Sequence, residues 1–562
     1  MTKPLFLARL IGTQAEMGAQ HGRLTAADAA QLVGFYKTMP ERMLAGDLGA
    51  PGKLAVRALA TAWQARLARS RPPELAARTR AFIDAVAETH PGSDRRAAQL
   101  AFATMDSMQN CVSLVGRAKL GPFGRPLRER AMASAVPACS TAIAWGRATE
   151  DGEVLFARNF DFPGVGVWDA APSFVVCVPD SGQRYGFFAT RGADTPVVTV
   201  VNEAGLVLAP HTRFHKDVTW GGAMIVDVVH DIARRAETLA EAVAIAREHR
   251  ASSSWGIAVG SAREKSALVL ELAGPHVDVV RPAPGADYLV CANRYRSDGL
   301  RPGELAATAA WELHSTRRER RLRALIETRT RPLTARDLAG FLGDRHDPDA
   351  PERTRQFGAI LAQPLNVHSV VVAPAHLRAH VGVDRAPCCE GTWAEVAWQW
   401  DGPRGGWELG QTVASGFTAE LRETFVAPHT ALSALVHDAT KAYEGSHDVS
   451  AASDAIEKAV ALAPDDPSLR LSAAWLALEA KLPDRALDHV RAGLACETEP
   501  YRRGQLLLWG ARAADRSDPG LARRWRAELA GLPGDDVEEL RVRGREKHRG
   551  TPHPNLTVSD AY

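Results

Sequence analysis

One stretch of this chain has the residue types of acyl transfer. Cys139 heads the run Cys-Ser-Thr-Ala-Ile-Ala, an Asp151-Gly152 pair follows, and then comes Arg158-Asn159-Phe160-Asp161-Phe162. A thiol attacks a carbonyl carbon once a base takes its proton, and a neighbouring cation and carboxylate can orient the amine and the carbonyl. An internal cysteine has no α-amine of its own. Cutting the Ala138–Cys139 bond would release one, and with a pKa of about 7.7–8.0 it can act as general base within the same residue. The same thiol then serves two reactions. An N-to-S acyl shift onto the Ala138 carbonyl, followed by thioester hydrolysis, matures the chain, and later attacks turn over substrate.

Positioning these groups is a task for a hairpin. Asp-Gly tolerates positive φ at both central positions of a tight turn and so predicts pairing of Ser140–Ala148 with Glu153–Phe162. With residue 150 opposite 153, Cys139 faces the region 161–164. Arg158 and Asp161 then lie within one or two strand residues of the sulfur, and a bulge decides which face each occupies.

The hairpin is embedded in alternating strand and helix signals. Segments 14–39 and 52–90 have helical spacing, for example Leu54, Leu59, Trp63 and Leu67. Gly116–Ala138 is basic and rich in breakers, an exposed loop ending at Cys139. Strands are predicted at Phe174–Val178, Arg184–Ala189 and Val197–Val201, then a long helix over Met224–Arg250. Strands return at Trp255–Val259, Ser266–Leu272, His276–Val280 and Tyr288–Ala292. Helices follow near Leu305–Glu327 and Thr334–Leu342, and a last strand group covers Val367–Val372, Arg378–Val383 and Ala394–Trp400. Strand blocks alternating with helices predict sheets stacked face to face with helices outside. Beyond about residue 430 the strand signals stop, and similar segments starting at Ala455, Ala486 and Leu521 recur at spacings of 31 and 35 residues. That period is similar to tetratricopeptide repeats, without their fuller Trp-Leu-Gly-Tyr signature. Such repeats would form their own core, so truncation near residue 430 is expected to leave maturation intact. Residues from about 541 to the end read as a disordered tail.

The motifs resemble those of the autoproteolytic cysteine N-terminal-nucleophile hydrolases of the acyl-coenzyme A:6-aminopenicillanic acid acyltransferase type, with choloylglycine hydrolases as distant relatives. The resemblance rests on Cys139-Ser140-Thr141, Ala157-Arg158-Asn159-Phe160-Asp161, Asn202-Glu203-Ala204-Gly205-Leu206, Ala292-Asn293-Arg294-Tyr295 and the early Glu16–Gly22 segment. It spans roughly residues 5 to 400. It implies an α+β fold, a four-layer αββα sandwich, joined here to an all-α helical-repeat domain. The implied division is a cleaved but retained helical segment 1–138, a catalytic domain 139–425, repeats 430–540 and a tail 541–562. It also implies Cys139 as nucleophile, Arg158 and Asp161 as the pair orienting amine and carbonyl, and Asn293 and Asn202 as oxyanion donors. The late Arg that the family carries before a Ser and a strand is missing, since that place reads Leu365-Asn366-Val367-His368-Ser369-Val370. His368 reads as a strand-end residue.

Other chemistries find little support. The formal charge is +2, from 68 basic and 66 acidic residues, so no global field favours nucleic acid or an anionic membrane. The N-terminus lacks the apolar core of a signal peptide and no apolar run approaches about 18 residues, which makes a cytoplasmic protein without a membrane span the default. Seven cysteines, at 111, 139, 177, 291, 388, 389 and 496, form no CxxC and no disulfide framework. His211 and His215 are spaced i,i+4 without an HExxH, Cys388 and Cys389 are adjacent, and Gly256–Gly260 is a strand with flanking glycines, so neither metal nor cofactor is expected. The expected partner is a small-molecule amide or acyl-thioester, with water or an amine as acyl acceptor. A protein partner on the C-terminal repeats is the other expectation. The competing class is an inactive scaffold that only binds a partner through those repeats.

Overall fold

The computed structural model describes residues 5–44, 49–117, 139–305, 309–402, 405–408, 414–421, 423 and 430–545. Residues 118–138, where the sequence reading expects the basic loop and the cut after Ala138, and residues 546–562, where it expects the tail, lie outside the described residues.

Two sheets carry the site. A nine-stranded sheet runs in the order His276–Val280, Ser266–Ala273, Ser254–Ser261, Leu206–Thr212, Thr199–Asn202, Tyr185–Thr190, Pro172–Pro179, Phe6–Gly12, Gly405–Glu408. Its pairs are antiparallel except for Phe6–Gly12, which runs parallel to Pro172–Pro179. A six-stranded antiparallel sheet runs Tyr288–Cys291, Ser140–Ala144, Leu155–Asp161, Asn366–Ala373, Arg378–Gly382, Trp393–Ala397.

Period-two alternation explains the layers. Ile143, Phe156, Val370 and Val381 of the smaller sheet meet Phe174, Val176, Val207 and Ala258 of the larger between the sheets. The alternate residues Ala142, Leu155, Ala157 and Val371 face Leu322, Leu338 and Leu342 of the helices Ala309–Glu327 and Ala335–Leu342. On the outer side of the larger sheet, Val228, Ile232 and Val243 cover Leu208, Ile257 and Leu270. Helix, sheet, sheet, helix is therefore the observed stacking, an α+β fold with a helical C-terminal region.

Several boundaries differ from the sequence reading. Phe6–Gly12 is a strand inside the large sheet although its neighbourhood reads as helical. The segment Met224–Arg250 forms two helices, Ile225–Arg235 and Leu239–Glu248, because Thr238 accepts from Glu241 N–H and caps a new start. Leu206–Thr212 is a further strand, and residues 541–545, assigned to the tail, continue the helix Glu538–Arg545.

The early Glu16–Gly22 segment lies in the helix Gln14–Leu24, whose start is a capping box between Thr13 and Glu16. Gly18 and Gly22 face the helix Pro73–Thr89 so closely that a Cβ would sit 2.2 Å from Arg78 O and 2.5 Å from Phe82 O. This contact seats His21 and Arg78 on Asp194, at 2.9 and 2.5 Å, and ties the N-terminal segment to the sandwich.

The helical region from 430 onward is not an isolated module. Leu432, Val436 and Tyr443 belong to the same continuous core as Phe357, Leu365 and Ala386. Gln356 N–H donates to Asp466 and Ser468, Arg355 pairs with Glu497, and His437 Nδ1 lies 2.9 Å from Ala386 O. Among the described residues no helix is long and apolar enough to cross a membrane.

Candidate active site

Cys139 stands at the head of Ser140–Ala144 with 3% of its surface exposed. Ser140 pairs with Asn159 and Thr141 with Arg158, so one further step places Cys139 opposite Phe160, short of the expected 161–164. The cause is the connection. Its ladder stops at Ala144 opposite Leu155, and Gly146–Ala148 forms a 3₁₀ turn, so the loop is longer than a two-residue Asp-Gly turn. Gly152 takes a positive φ of 73° and Asp151 does not.

This register sends Arg158 and Asp161 to opposite faces. Arg158 shares the inter-sheet side with Thr141; its Nη2 lies 3.6 Å from Cys139 Sγ and donates across to Pro210 O of the larger sheet at 2.6 Å. Its Nε and Nη1 are buried without a partner among the described residues. Asp161 points to the helix side, where Asn366 Nδ2 donates to its Oδ1 at 2.9 Å. The two side chains stand on opposite faces, a parity that the sequence reading leaves open, and form no direct pair with each other, yet both act on the thiol.

Asn293 arrives on the neighbouring strand's end. Its Nδ2 donates to Thr212 O and its backbone N–H to Ser315 Oγ, both at 2.9 Å. Asn202 is elsewhere: its amide donates to Ala233 O and Ala236 O and accepts from Leu206 N–H. Leu206 is itself four strand residues, about 13 Å, from the Pro210 that receives Arg158. The structure brings Cys139, Arg158, Asp161 and Asn293 together and leaves Asn202 as the staple of a turn.

Sequence reasoning missed Arg318. From the helix Ala309–Glu327 its Nη1 donates to Cys139 O at 2.7 Å and Ser140 Oγ at 2.9 Å, and its Nη2 to Asn293 Oδ1 at 2.9 Å. The signal was helical phase. Trp311, Ser315, Arg318 and Leu322 are spaced by three or four on the buried face, and a fully buried arginine calls for a buried acceptor. Asn366 was missed too, within the stretch noted only for lacking an Arg.

Burial dominates the electrostatics. It pushes the Cys139 thiol up, with Arg158 pulling back, and lifts the Asp161 carboxyl to about 7 against the pull of Arg318 and the Asn366 hydrogen bond. Burial also lowers Arg318 to about 10 and holds His211 well below its ordinary value, in the field of Arg158, Arg213 and Arg318. His211 Nε2 lies 2.8 Å from Thr141 Oγ1, while His215 Nε2 lies 3.0 Å from Leu300 O. His368 is buried and kept neutral, at about 3. Among the described residues no group of His, Cys, Asp and Glu is arranged to hold a metal ion.

Beyond the sulfur lies a cavity of about 120 Å³, walled by Phe160 of the strand Leu155–Asp161, by Phe162 and Trp168 just after it, by Pro210 and Thr212 of the facing sheet, and by Leu32, Tyr36, Phe102 and Met105 of the N-terminal segment. The space exceeds what one water needs, and its walls are largely apolar. The arrangement can present a thiol to a carbonyl, hold the oxygen side with Arg and Asn donors, and receive an apolar group.

Residues 147–380 match the model of the family described as acyl-coenzyme A:6-aminopenicillanic acid acyl-transferase. No curated protein matches the chain. Among solved structures, an orthologue of N-acylethanolamine-hydrolyzing acid amidase from Caenorhabditis elegans is similar at 15% identity and a TM-score of 0.30, over 42% of this chain and 93% of that one.

Proposed function

We propose that the chain is a self-processing cysteine N-terminal-nucleophile enzyme that cleaves or transfers an acyl group at a linear amide through a thioester on Cys139. In maturation Cys139 Sγ attacks the Ala138 carbonyl carbon, the C–N bond to Cys139 breaks, and the thiol proton passes to the released amine. Water then hydrolyses the thioester, leaving an Ala138 carboxylate and an amino-terminal Cys139. In turnover the α-amine takes the thiol proton and delivers it to the leaving amine. Water as acceptor gives a hydrolase and an amine gives an acyltransferase. Arg158 anchors the thiol side, Asp161 holds the amine, and Asn293 with Arg318 polarises the carbonyl; Asn202 keeps only its turn. The apolar cavity favours substrates with an apolar acyl group.

The observation that carries this reading is a strand-head cysteine with one buried arginine at its thiol and a second, held by Asn293, at its carbonyl, standing just before the segment 147–380 that the family model matches. Intact-mass analysis tests it: the expressed chain is expected as fragments 1–138 and 139–562. Cys139→Ser should slow cleavage strongly, since a hydroxyl is a weaker nucleophile with a far higher pKa, and Cys139→Ala should stop it with the fold retained. An active protein with a single full-length mass would refute the maturation step.

A further inference from the structure

The two oxygens of Asp161 have unlike surroundings. Oδ1 accepts from Asn366 Nδ2 at 2.9 Å, whereas Oδ2 is buried without a hydrogen-bond partner among the described residues. A buried carboxylate oxygen left unpaired costs free energy, so such an atom points to something it receives in the working molecule.

The bond that fixes Oδ1 is the end of a chain of contacts. Asn366 Oδ1 accepts from Cys389 N–H at 2.9 Å and lies 2.8 Å from Ser369 Oγ. Ser369 Oγ is also 2.7 Å from Asn159 Oδ1, and Asn159 Nδ2 donates to Leu342 O and Leu361 O, both at 2.9 Å. Asn159, Asn366 and Ser369 are fully buried. Backbone groups settle both amide orientations: two carbonyls require the Asn159 NH₂, and an N–H requires the Asn366 oxygen. The network is thereby anchored on four backbone atoms, the fourth being His368 O, which accepts from Asn366 Nδ2 at 3.3 Å.

We propose that Asn159, Ser369 and Asn366 form a positioning relay that locks Asp161 by Oδ1 and reserves Oδ2 for the α-ammonium of Cys139 after maturation. The inference rests on reading Cys139 as an N-terminal nucleophile. It gives Asn366 and Ser369 a role in the reaction besides filling buried hydrogen-bonding positions. The charged and titratable groups acting on Asp161 are Arg318 from the helix Ala309–Glu327, Arg158 from its own strand, Cys139 from the adjacent strand and Cys389 from the turn Cys388–Glu390.

Asn366→Asp separates positioning from scaffolding. It keeps the oxygen that Cys389 and Ser369 use, and it replaces the Nδ2 that donates to Asp161 and, at 3.3 Å, to His368 O with a second carboxyl oxygen. The readout is the pH dependence of iodoacetamide labelling of Cys139 in the matured full chain, followed by intact mass. Asp161 loses the bond that fixes it and holds the α-ammonium less firmly, so the thiolate loses part of a neighbouring positive charge, and the added carboxylate disfavours the thiolate as well; the labelling limb is expected to move up by about one to two pH units. Ser369→Ala should move it less, in the same direction, with both unfolding transitions near wild type. A folded Asn366→Asp chain that fails to mature also supports the relay. Matured, folded Asn366→Asp and Ser369→Ala chains with the wild-type limb would overturn the relay alone. A wild-type chain never cut before Cys139 would overturn the parent reading, and the relay with it.

Discussion

Asp161→Asn should stabilise the unprocessed chain while removing its chemistry. The comparison is made on a Cys139→Ala background, in which no cleavage alters the surroundings of Asp161. In the folded chain burial lifts this carboxyl from 3.8 to about 7. In the unfolded chain it titrates near its ordinary value, so between about pH 4 and pH 7 the folded state binds more protons and stability falls as pH rises. This is opposite in sign to a salt-bridged carboxylate, whose lowered pKa adds stability above the unfolded value. At about 1.36 kcal/mol per unit, the ionisation costs the fold roughly 1.5 kcal/mol at pH 5 and roughly 4 kcal/mol at pH 8, as an upper figure for a group that Arg318 partly compensates. Asparagine keeps an oxygen for Asn366 and does not ionise. Urea unfolding of Cys139→Ala and Cys139→Ala/Asp161→Asn should therefore coincide near pH 4 and diverge steadily up to pH 7, with the double variant the more resistant. A gap independent of pH, or a double variant weaker at pH 8, would show that Arg318 holds Asp161 as a stabilised anion and that the burial argument is wrong.

Arg318→Met keeps much of the buried stem and removes the donors to Cys139 O, Ser140 Oγ and Asn293 Oδ1. If it helps to polarise the carbonyl, self-cleavage should slow by about 10²–10³-fold, read as fragment appearance over time, while a wild-type rate would limit Arg318 to packing. Truncation at residue 430 exposes Phe357 and Ala386 and removes Glu497 from Arg355, which keeps Asp347, and Ser433 from Arg345, which keeps Glu390. The truncated chain is expected to be poorly soluble or uncut, and a soluble, self-cleaving 1–429 would restore the view that the repeats fold on their own.

Much of the site was legible because strands announce themselves by alternation and the motif residues sit at their ends. The signals at Phe174–Val178, Ser266–Leu272 and Val367–Val372 fall inside observed strands, and the order of blocks was enough to place helices outside stacked sheets. What failed was register. Asp-Gly is a strong local turn signal, but the chain closes its hairpin through Gly146 and a 3₁₀ turn, and a shift in pairing changes which residue faces the thiol. The parallel strand Phe6–Gly12 was invisible for a different reason: its partner lies more than 160 residues away at Pro172–Pro179, and no local pattern encodes such a pairing.

Asn202 and Arg318 show how a motif and a site can part. The string around Asn202 is compact, and its function is also compact: one amide satisfying two carbonyls at a helix end and one N–H across its own turn. Arg318 belongs to no string, because it reaches the Cys139 carbonyl from a helix whose sequence distance to Cys139 is set by intervening strands. The candidate site is assembled between layers. Cys139 and Arg158 come from the inner sheet pair, Arg318 from the covering helix, and Asn366 from the strand beside Asp161. Only the members carried on the hairpin itself keep a fixed spacing that can be read along the chain. The others are recognisable by burial, since an arginine or asparagine on an apolar face persists only where a fold supplies its partners. That physical criterion, applied to the buried face of Ala309–Glu327, picks out Arg318 without any motif.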